Sequence, residues 1–372
     1  MVFTHPMTTR IDSKTPRPFR RALPGSRLKA ASIAAILGVL VCSVVSLPSS
    51  AKALAQKREH FQNAEIIYDW VKIGTGQKLR TFITRPKNAP GKVPVVFIVG
   101  WLSCDSVEYP AGETDGFGAI ILRLADKSGF ATVRMDKPGV GESEGDCAKT
   151  DFQTELQGYR AAFDSMSKYD FLDLNRVFVV GLSNGGGTAP LIAGSHPVAG
   201  FVAASSWGRT WYEHMLENER VRLSGEKHSA GEINQALRVF TQFYDLFLIQ
   251  HQSPGEILAK HPDWKPFWYD TPDGQYGRPA AFYQQLQDLN LGEVWQKVSC
   301  PVLVMRGGAD TIMSDADSRA IVDNVNRSHP GKARFVEIPG ADHSLAVGRP
   351  LHASVFGTMT DWMRQVLGER KN

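Results

Sequence analysis

A chain of 372 residues with 42% hydrophobic and 22% charged residues has the composition of a globular protein and can bury a large core, which excludes a disordered or low-complexity chain. The formal net charge of +4 belongs to the N-terminus. Residues 1–55 carry eight lysines and arginines against Asp12 alone, so the remainder is net acidic and offers no nucleic-acid surface.

Those first 55 residues read as a targeting segment. A basic stretch ends at Lys29, an uncharged run extends from Ala30 to Leu47, and Pro48 to Ala55 supplies small residues at A-x-A spacing. That order is the order of a secretory signal, with a mature N-terminus expected near Lys52 to Gln56. The alternative is an uncleaved anchor, since the run is just long enough to span a bilayer. Arg20-Arg21 is a twin-arginine pair in poorly fitting surroundings. Cys42 follows Val41, which is not the small residue a lipid-attachment site prefers. The expected destination is the periplasm or the exterior, with membrane contact only through an uncleaved N-terminus.

From residue 56 the chain reads as a core, 56–204, an insertion, 205–292, and a second part of the core, 293–372. Ile66 to Val71 and Leu79 to Ile83 suggest a hairpin around the turn Gly74-Thr75-Gly76. Pro94 to Gly100 is a buried strand ending in glycine, followed by a helix from Phe117 to Lys127. Ala131 to Asp136 is a strand, Phe152 to Met166 a helix, Val177 to Val180 a strand, and Gly200 to Ala204 another. After the insertion come a strand at Pro301–Met305, a helix at Asp317–Val325, a strand at Arg334–Ile338 and a closing helix at Ser354–Leu367. Such alternation predicts an α/β fold with a mostly parallel, doubly wound sheet and its site beyond the strands' carboxyl ends.

Chemistry concentrates at those ends. Gly181-Leu182-Ser183-Asn184-Gly185 fits G-x-S-x-G, a nucleophile elbow. The glycines let strand and helix approach closely around a strained serine. The N–H of Asn184 then stands at a helix N-terminus, where it can stabilise an oxyanion. Pro190 is awkward in such a helix, because it removes a backbone bond. Asp310 follows one later strand and His343 the next, giving the order Ser183, Asp310, His343. A serine hydroxyl is a weak nucleophile, a histidine must take and return its proton, and a carboxylate must orient the histidine. Asp342 adjoins His343, but adjacent side chains seldom face each other, so Asp310 is the expected acid.

The chain resembles the α/β-hydrolase superfamily. The resemblance rests on Gly100-Trp101, on Asp136-Lys137-Pro138-Gly139-Val140-Gly141-Glu142-Ser143, on the GLSNG elbow, and on Asp310 and His343. It looks most like bacterial esterases and serine aminopeptidase or acylaminoacyl-peptidase-like enzymes. The resemblance implies an eight-stranded, mostly parallel sheet with helices on both faces, a helical lid, a Ser-His-Asp triad and no cofactor. It implies a second oxyanion donor in the N–H of Trp101, or of Leu102, although Val99-Gly100 stands where many members have His-Gly. The loop after Asp136 lacks the ending of a phosphate loop and reads as a structural turn near the site. With the third and fourth strands adjacent in this fold, Cys104 and Cys147 lie in neighbouring loops. An exported protein permits a disulfide between them, leaving Cys300 over.

The insertion holds fourteen aromatics, with helical spacing at Phe240, Phe243, Tyr244 and Phe247. They read as a lid that gives the pocket an apolar part, or as the lid's own core. Glu213 and His214 lack a partner histidine at metal-site spacing, so no metal is expected. The expected activity is hydrolysis of a carboxylic ester by an exported serine hydrolase acting on a small ester or short peptide. The alternatives are a serine peptidase, with Glu213 or Glu217 available to hold a peptide's amino terminus, and a non-catalytic binder of the same fold.

Overall fold

The computed structural model describes residues 58–112 and 116–369, so the targeting segment expected over 1–55 lies outside the described residues. Among the described residues ten strands form: β1 (Ala64–Lys72), β2 (Lys78–Pro86), β3 (Val93–Val99), β4 (Ala131–Met135), β5 (Leu172–Leu182), β6 (Gly200–Ala204), β7 (Gly274–Gln275), β8 (Arg278–Pro279), β9 (Val302–Gly307) and β10 (Ala333–Ile338). Eight of them make one sheet in the order β1-β2-β4-β3-β5-β6-β9-β10. The β1–β2 hairpin pairs antiparallel, β2 meets β4 antiparallel, and every later neighbour is parallel. Parallel neighbours need crossovers, and the amphipathic stretches of the sequence supply them.

The apolar runs explain why the middle strands are central. All seven residues of β3 are buried, as is the run from Val177 to Leu182. Alternate side chains serve two layers. Val95, Phe97, Val99, Val177 and Val179 face one core, with helix α2 (Phe152–Asp164) and helix α3 (Asn184–Ala193). Val96, Ile98, Phe178 and Val180 face the other, with α1 (Gly116–Lys127) and the C-terminal α10 (Ala353–Val366). Strand β5 begins at Leu172, which pairs with Val93 of β3, so a polar stretch with Asp173, Asn175 and Arg176 precedes its apolar run.

Between β6 and β9 the chain leaves the sheet to form α4 (Trp211–Gly225), α5 (Ala230–Tyr244), α6 (Pro254–Lys260), α7 (Ala280–Gln287) and α8 (Leu291–Gln296). Helices α4, α5 and α6 each open with a reciprocal capping box: Thr210 with Glu213, Ser229 with Glu232, and Ser253 with Glu256. The short β7–β8 ribbon, pivoting on Gly277 at φ 72°, was not expected from the sequence. Beyond β9, α9 (Asp315–Ser328) begins two residues earlier than its apolar spacing implies, since Ser314 caps it with Asp317.

Cys104 and Cys147 form a disulfide, with Cα atoms 6.0 Å apart across a sequence separation of 43. It joins the loop after β3 to the loop after β4, two adjacent strands. Cys300 is the free thiol among the described residues, and burial pushes it up to about 11, leaving it unreactive. Closing a loop of this length is expected to stabilise the fold by about 3–4 kcal/mol. Thiol titration of the denatured, unreduced protein cut ahead of Lys57 should find one free thiol. Denaturant unfolding after reduction should show that loss of stability; three thiols, or an unchanged midpoint, would refute the bridge.

Candidate active site

The elbow is built from close backbone contacts. A Cβ on Gly181 would stand 2.4 Å from Gly186 Cα, and one on Gly185 would stand 2.3 Å from the Gly100 carbonyl oxygen. Neither position admits a side chain, so strand β5 and helix α3 pack against each other and against the end of β3. Ser183 itself sits at φ 54° and ψ −123°, a strained conformation for a residue with a side chain. Its neighbours hold it there: the Ser183 N–H donates to Ala204 (2.9 Å), and the Ser206 hydroxyl donates to the Ser183 carbonyl (2.8 Å). Pro190 lies inside α3 after all, with Gly194 capping the end four residues later.

His343 and Asp310 converge on this serine. His343 Nε2 is 2.9 Å from Ser183 Oγ, and Nδ1 is 3.0 Å from Asp310 Oδ2. Asp310 Oδ1 also accepts from the N–H groups of Ile312 (2.8 Å) and Met313 (3.0 Å), which fix the carboxylate in place. Asp342 is occupied elsewhere, accepting from Ser344 and Ala346 in its own turn. The ring of Phe117 meets the His343 ring edge-on at 5.5 Å and stacks on Trp101 at 5.6 Å. A hydroxyl, an imidazole and a buried carboxylate in line can move one proton from the hydroxyl to the imidazole while the carboxylate holds the ring.

Ser183, His343, Trp101 and Asn184 all line one cavity of about 330 Å³, within the range of small-ligand sites. The backbone N–H groups of Trp101 and Asn184 have no hydrogen-bond partner among the described residues. The Asn184 side chain is held aside, accepting from Trp207 Nε1 at 3.1 Å.

A family model described as the alpha/beta hydrolase family matches residues 95–355. The chain belongs to the alpha/beta hydrolase family. Among solved structures it is similar to the esterase Est1E from Butyrivibrio proteoclasticus with ferulic acid bound, at 19% identity, covering 80% of this chain and 97% of that one with a TM-score of 0.51. It is similar to a proline iminopeptidase from Mycobacterium smegmatis at 19% identity, covering 81% and 98% with a TM-score of 0.51. It is also similar to an esterase from Pyrococcus furiosus at 12% identity, covering 82% and 90% with a TM-score of 0.50. These likenesses carry the fold. No curated protein matches the chain.

In this hydrolase the aromatic insertion contributes less to the cavity than its composition suggests. Of its fourteen aromatics, Trp211 and Tyr276 line the cavity. Phe240, Phe243, Tyr244 and Phe247 are buried with Trp268 in the insertion's own core, where Phe243 stacks on Trp268 at 4.6 Å. Neither Glu213 nor Glu217 reaches the cavity: Glu213 caps α4, and Glu217 pairs with Arg209. No cluster of potential metal ligands occurs among the described residues.

The sequence reading missed several supporting side chains. Arg306, at the end of β9, donates to the carbonyls of Asp310 (2.8 Å) and Met313 (2.9 Å) and so pins the Asp310 loop. Tyr159 on α2 accepts from the Gly100 N–H at 3.2 Å. The turn after β4 does more than reverse the chain. Asp136 accepts from Ser106 and the Val107 N–H, and the Lys137 ammonium donates to the carbonyls of Trp101 and of Ser103 (2.9 Å). A charged pair directly after a strand, Asp136-Lys137, was the available signal.

Lys137 is 3% exposed. Burial pushes it from the ordinary 10.5 down to about 8, against the opposing pull of Glu155, 3.9 Å away. The unfolded chain keeps this proton up to about 10.5, so between pH 8 and 10.5 the unfolded state binds more protons than the folded one. Stability contributed by this group therefore rises with pH across that window, and below it the buried charge bears its full desolvation cost. Denaturant unfolding at intervals from pH 7.5 to 10.5 should show this rise relative to Lys137→Met. Parallel curves for the two proteins would exclude the buried ammonium.

Proposed function

We propose that this protein is an exported serine hydrolase that cleaves a carboxylic ester through an acyl-enzyme. The observation that carries the reading is the hydrogen-bonded line Ser183 Oγ, His343 Nε2, His343 Nδ1, Asp310. Ser183 Oγ attacks the acyl carbonyl while His343 takes its proton. The oxyanion that forms accepts from the N–H groups of Asn184 and Trp101. His343 then gives its proton to the departing alcohol, and a water repeats the cycle in reverse to free the acid and restore Ser183.

Two features favour esters over peptides. An alkoxide leaves more readily than an amine and needs less help from the acid. None of the described residues lining the cavity is a carboxylate, so no charge among them pairs with a free amino terminus. Export is supported by the order of the first 55 residues and by the disulfide, which persists in oxidising compartments. No helix among the described residues is long and apolar enough to cross a membrane.

Ser183→Ala and His343→Ala are each expected to cut turnover by about 10⁴-fold or more, and Asp310→Asn somewhat less, with binding largely kept. Wild type should label with a fluorophosphonate probe and Ser183→Ala should not. On a panel of aryl esters and aminoacyl anilides, esters should be turned over faster. An anilide outpacing every ester would make the enzyme a peptidase, and full activity in Ser183→Ala would end the assignment. Sequencing the N-terminus of protein expressed in a related host should find it near Lys52 to Gln56; an intact Met1 on cytoplasmic protein would refute export.

A further inference from the structure

The cavity contains a second imidazole that the reaction above does not use. His214, on α4, is 2% exposed and lines the same cavity as Ser183 and His343. Its Nδ1 lies 3.0 Å from Asp317 Oδ2. Asp317 also accepts from Arg209 Nε (2.9 Å) and Nη2 (2.8 Å) and from the Ser314 N–H (3.0 Å). Burial pushes this carboxyl up, but the hydrogen bond from His214, the charge of Arg209 and the Ser314 N–H outweigh it and hold the group well below the ordinary carboxylate range. Asp317 is thus an acceptor only, and Nδ1 must be the nitrogen that carries the proton facing it.

That assignment fixes the character of the opposite nitrogen. With its Nδ1 proton on Asp317, the neutral ring keeps its lone pair at Nε2, the nitrogen left for the cavity. Among the described residues Nε2 has no hydrogen-bond partner, and it is not sealed from the cavity. The ring packs against Trp211, with centroids 4.8 Å apart, and Trp207 lies behind on the same side at 6.3 Å.

One turn further along α4, Asn218 also lines the cavity. Positions i and i+4 share a helix face. Asn218 Nδ2 donates to the Ile312 carbonyl at 3.1 Å, so the nitrogen and oxygen of the amide are fixed by that bond. Its Oδ1 has no partner among the described residues. This wall of the cavity therefore offers two acceptors, in otherwise largely apolar surroundings that include Ile312, Met313 and Phe117.

We propose that His214 and Asn218 form a subsite that reads a hydroxyl group on the substrate. This rests on the ester-hydrolase reading and deepens it: the preferred ester carries a hydroxyl away from the scissile carbonyl, donating to His214 Nε2 with Asn218 Oδ1 beside it. An ester lacking that hydroxyl leaves a buried acceptor without a partner, and such a site discriminates strongly against it.

The test uses aryl esters of straight-chain acids from three to eight carbons, each with and without a terminal hydroxyl. Matched esters of diols and simple alcohols probe the other side of the scissile bond. At one length the hydroxy ester should have a kcat/KM about tenfold or more above its plain counterpart. His214→Phe should bring that ratio close to one, and Asn218→Leu should lower it in part. A merely structural role for His214 would change both esters together and leave the ratio intact. No preference at any length in either series, or a ratio unchanged in both variants, would overturn the proposal. If no ester is turned over, the ester reading fails separately. The same ester pairs titrated into Ser183→Ala by calorimetry then decide the subsite: tighter binding of one hydroxy ester, lost on adding His214→Phe, supports it, and equal affinities overturn it.

Discussion

The contact on which the rest of the site depends is the approach of Gly185 to the end of β3. The Cα of Gly185 lies so close to the Val99 and Gly100 carbonyls that any side chain there would collide with backbone. One contact therefore sets two things at once. It places the turn that carries Ser183, and it places the strand end from which Trp101 continues. The distance between a nucleophile and a backbone donor is thus fixed by packed backbone and does not rely on flexible side chains. The strain at Ser183 is sustained by the same packing, with bonds to Ala204 and from Ser206 holding the turn from the neighbouring strand's end.

A buried polar tie extends this control outward. Arg278, on β8, is fully buried against Glu155 of α2, donates to the Thr150 carbonyl, and lies against Cys147 Sγ of the disulfide. Lys137 stands on the other side of Glu155 and reaches the carbonyls of Trp101 and Ser103. Charges buried in this way are costly, and a well-packed apolar cluster would serve stability as well or better. What the polar cluster adds is direction. A guanidinium and an ammonium have fixed donors, so the insertion ribbon, helix α2 and the loop carrying Trp101 are held in one register.

The sheet was legible because its central strands are continuous apolar runs, and β3, β4, β6, β9 and β10 fall within a residue or two of their expected bounds. Ser183, Asp310 and His343 stood out because each lies in the turn or loop beyond the carboxyl end of a strand. The aromatic insertion was harder to read. Helical spacing at Phe240, Phe243, Tyr244 and Phe247 marks a buried stripe but does not say whether the stripe faces a cavity or another helix, and here it faces Trp268. The β7–β8 ribbon is two residues per strand, too short for any alternation to appear. Lys137, Arg278 and Glu155 escaped for a different reason. Charged residues in a sequence read as solvated surface, and the pairings that allow their burial join positions far apart in the chain, 36 residues for Lys137 and Trp101 and 123 for Arg278 and Glu155.

His214 was set aside in the sequence because a metal site would need further ligands near it, and that reasoning left no role for the residue. The structure pairs it with a carboxylate in the same way that it pairs His343. Both imidazoles present Nδ1 to an aspartate and Nε2 toward one cavity. Both aspartates come from one short segment, Asp310 in the loop after β9 and Asp317 in the first turn of α9. Arg306 pins the start of that segment through the carbonyls of Asp310 and Met313, and the Ser314–Asp317 capping box fixes its end. A single rigid connection of eight residues thus orients two imidazoles from different parts of the chain. The two rings nonetheless meet different surroundings. Nε2 of His343 faces a hydroxyl that can lose a proton, whereas Nε2 of His214 faces open cavity space beside Asn218 and is placed for recognition of a bound group.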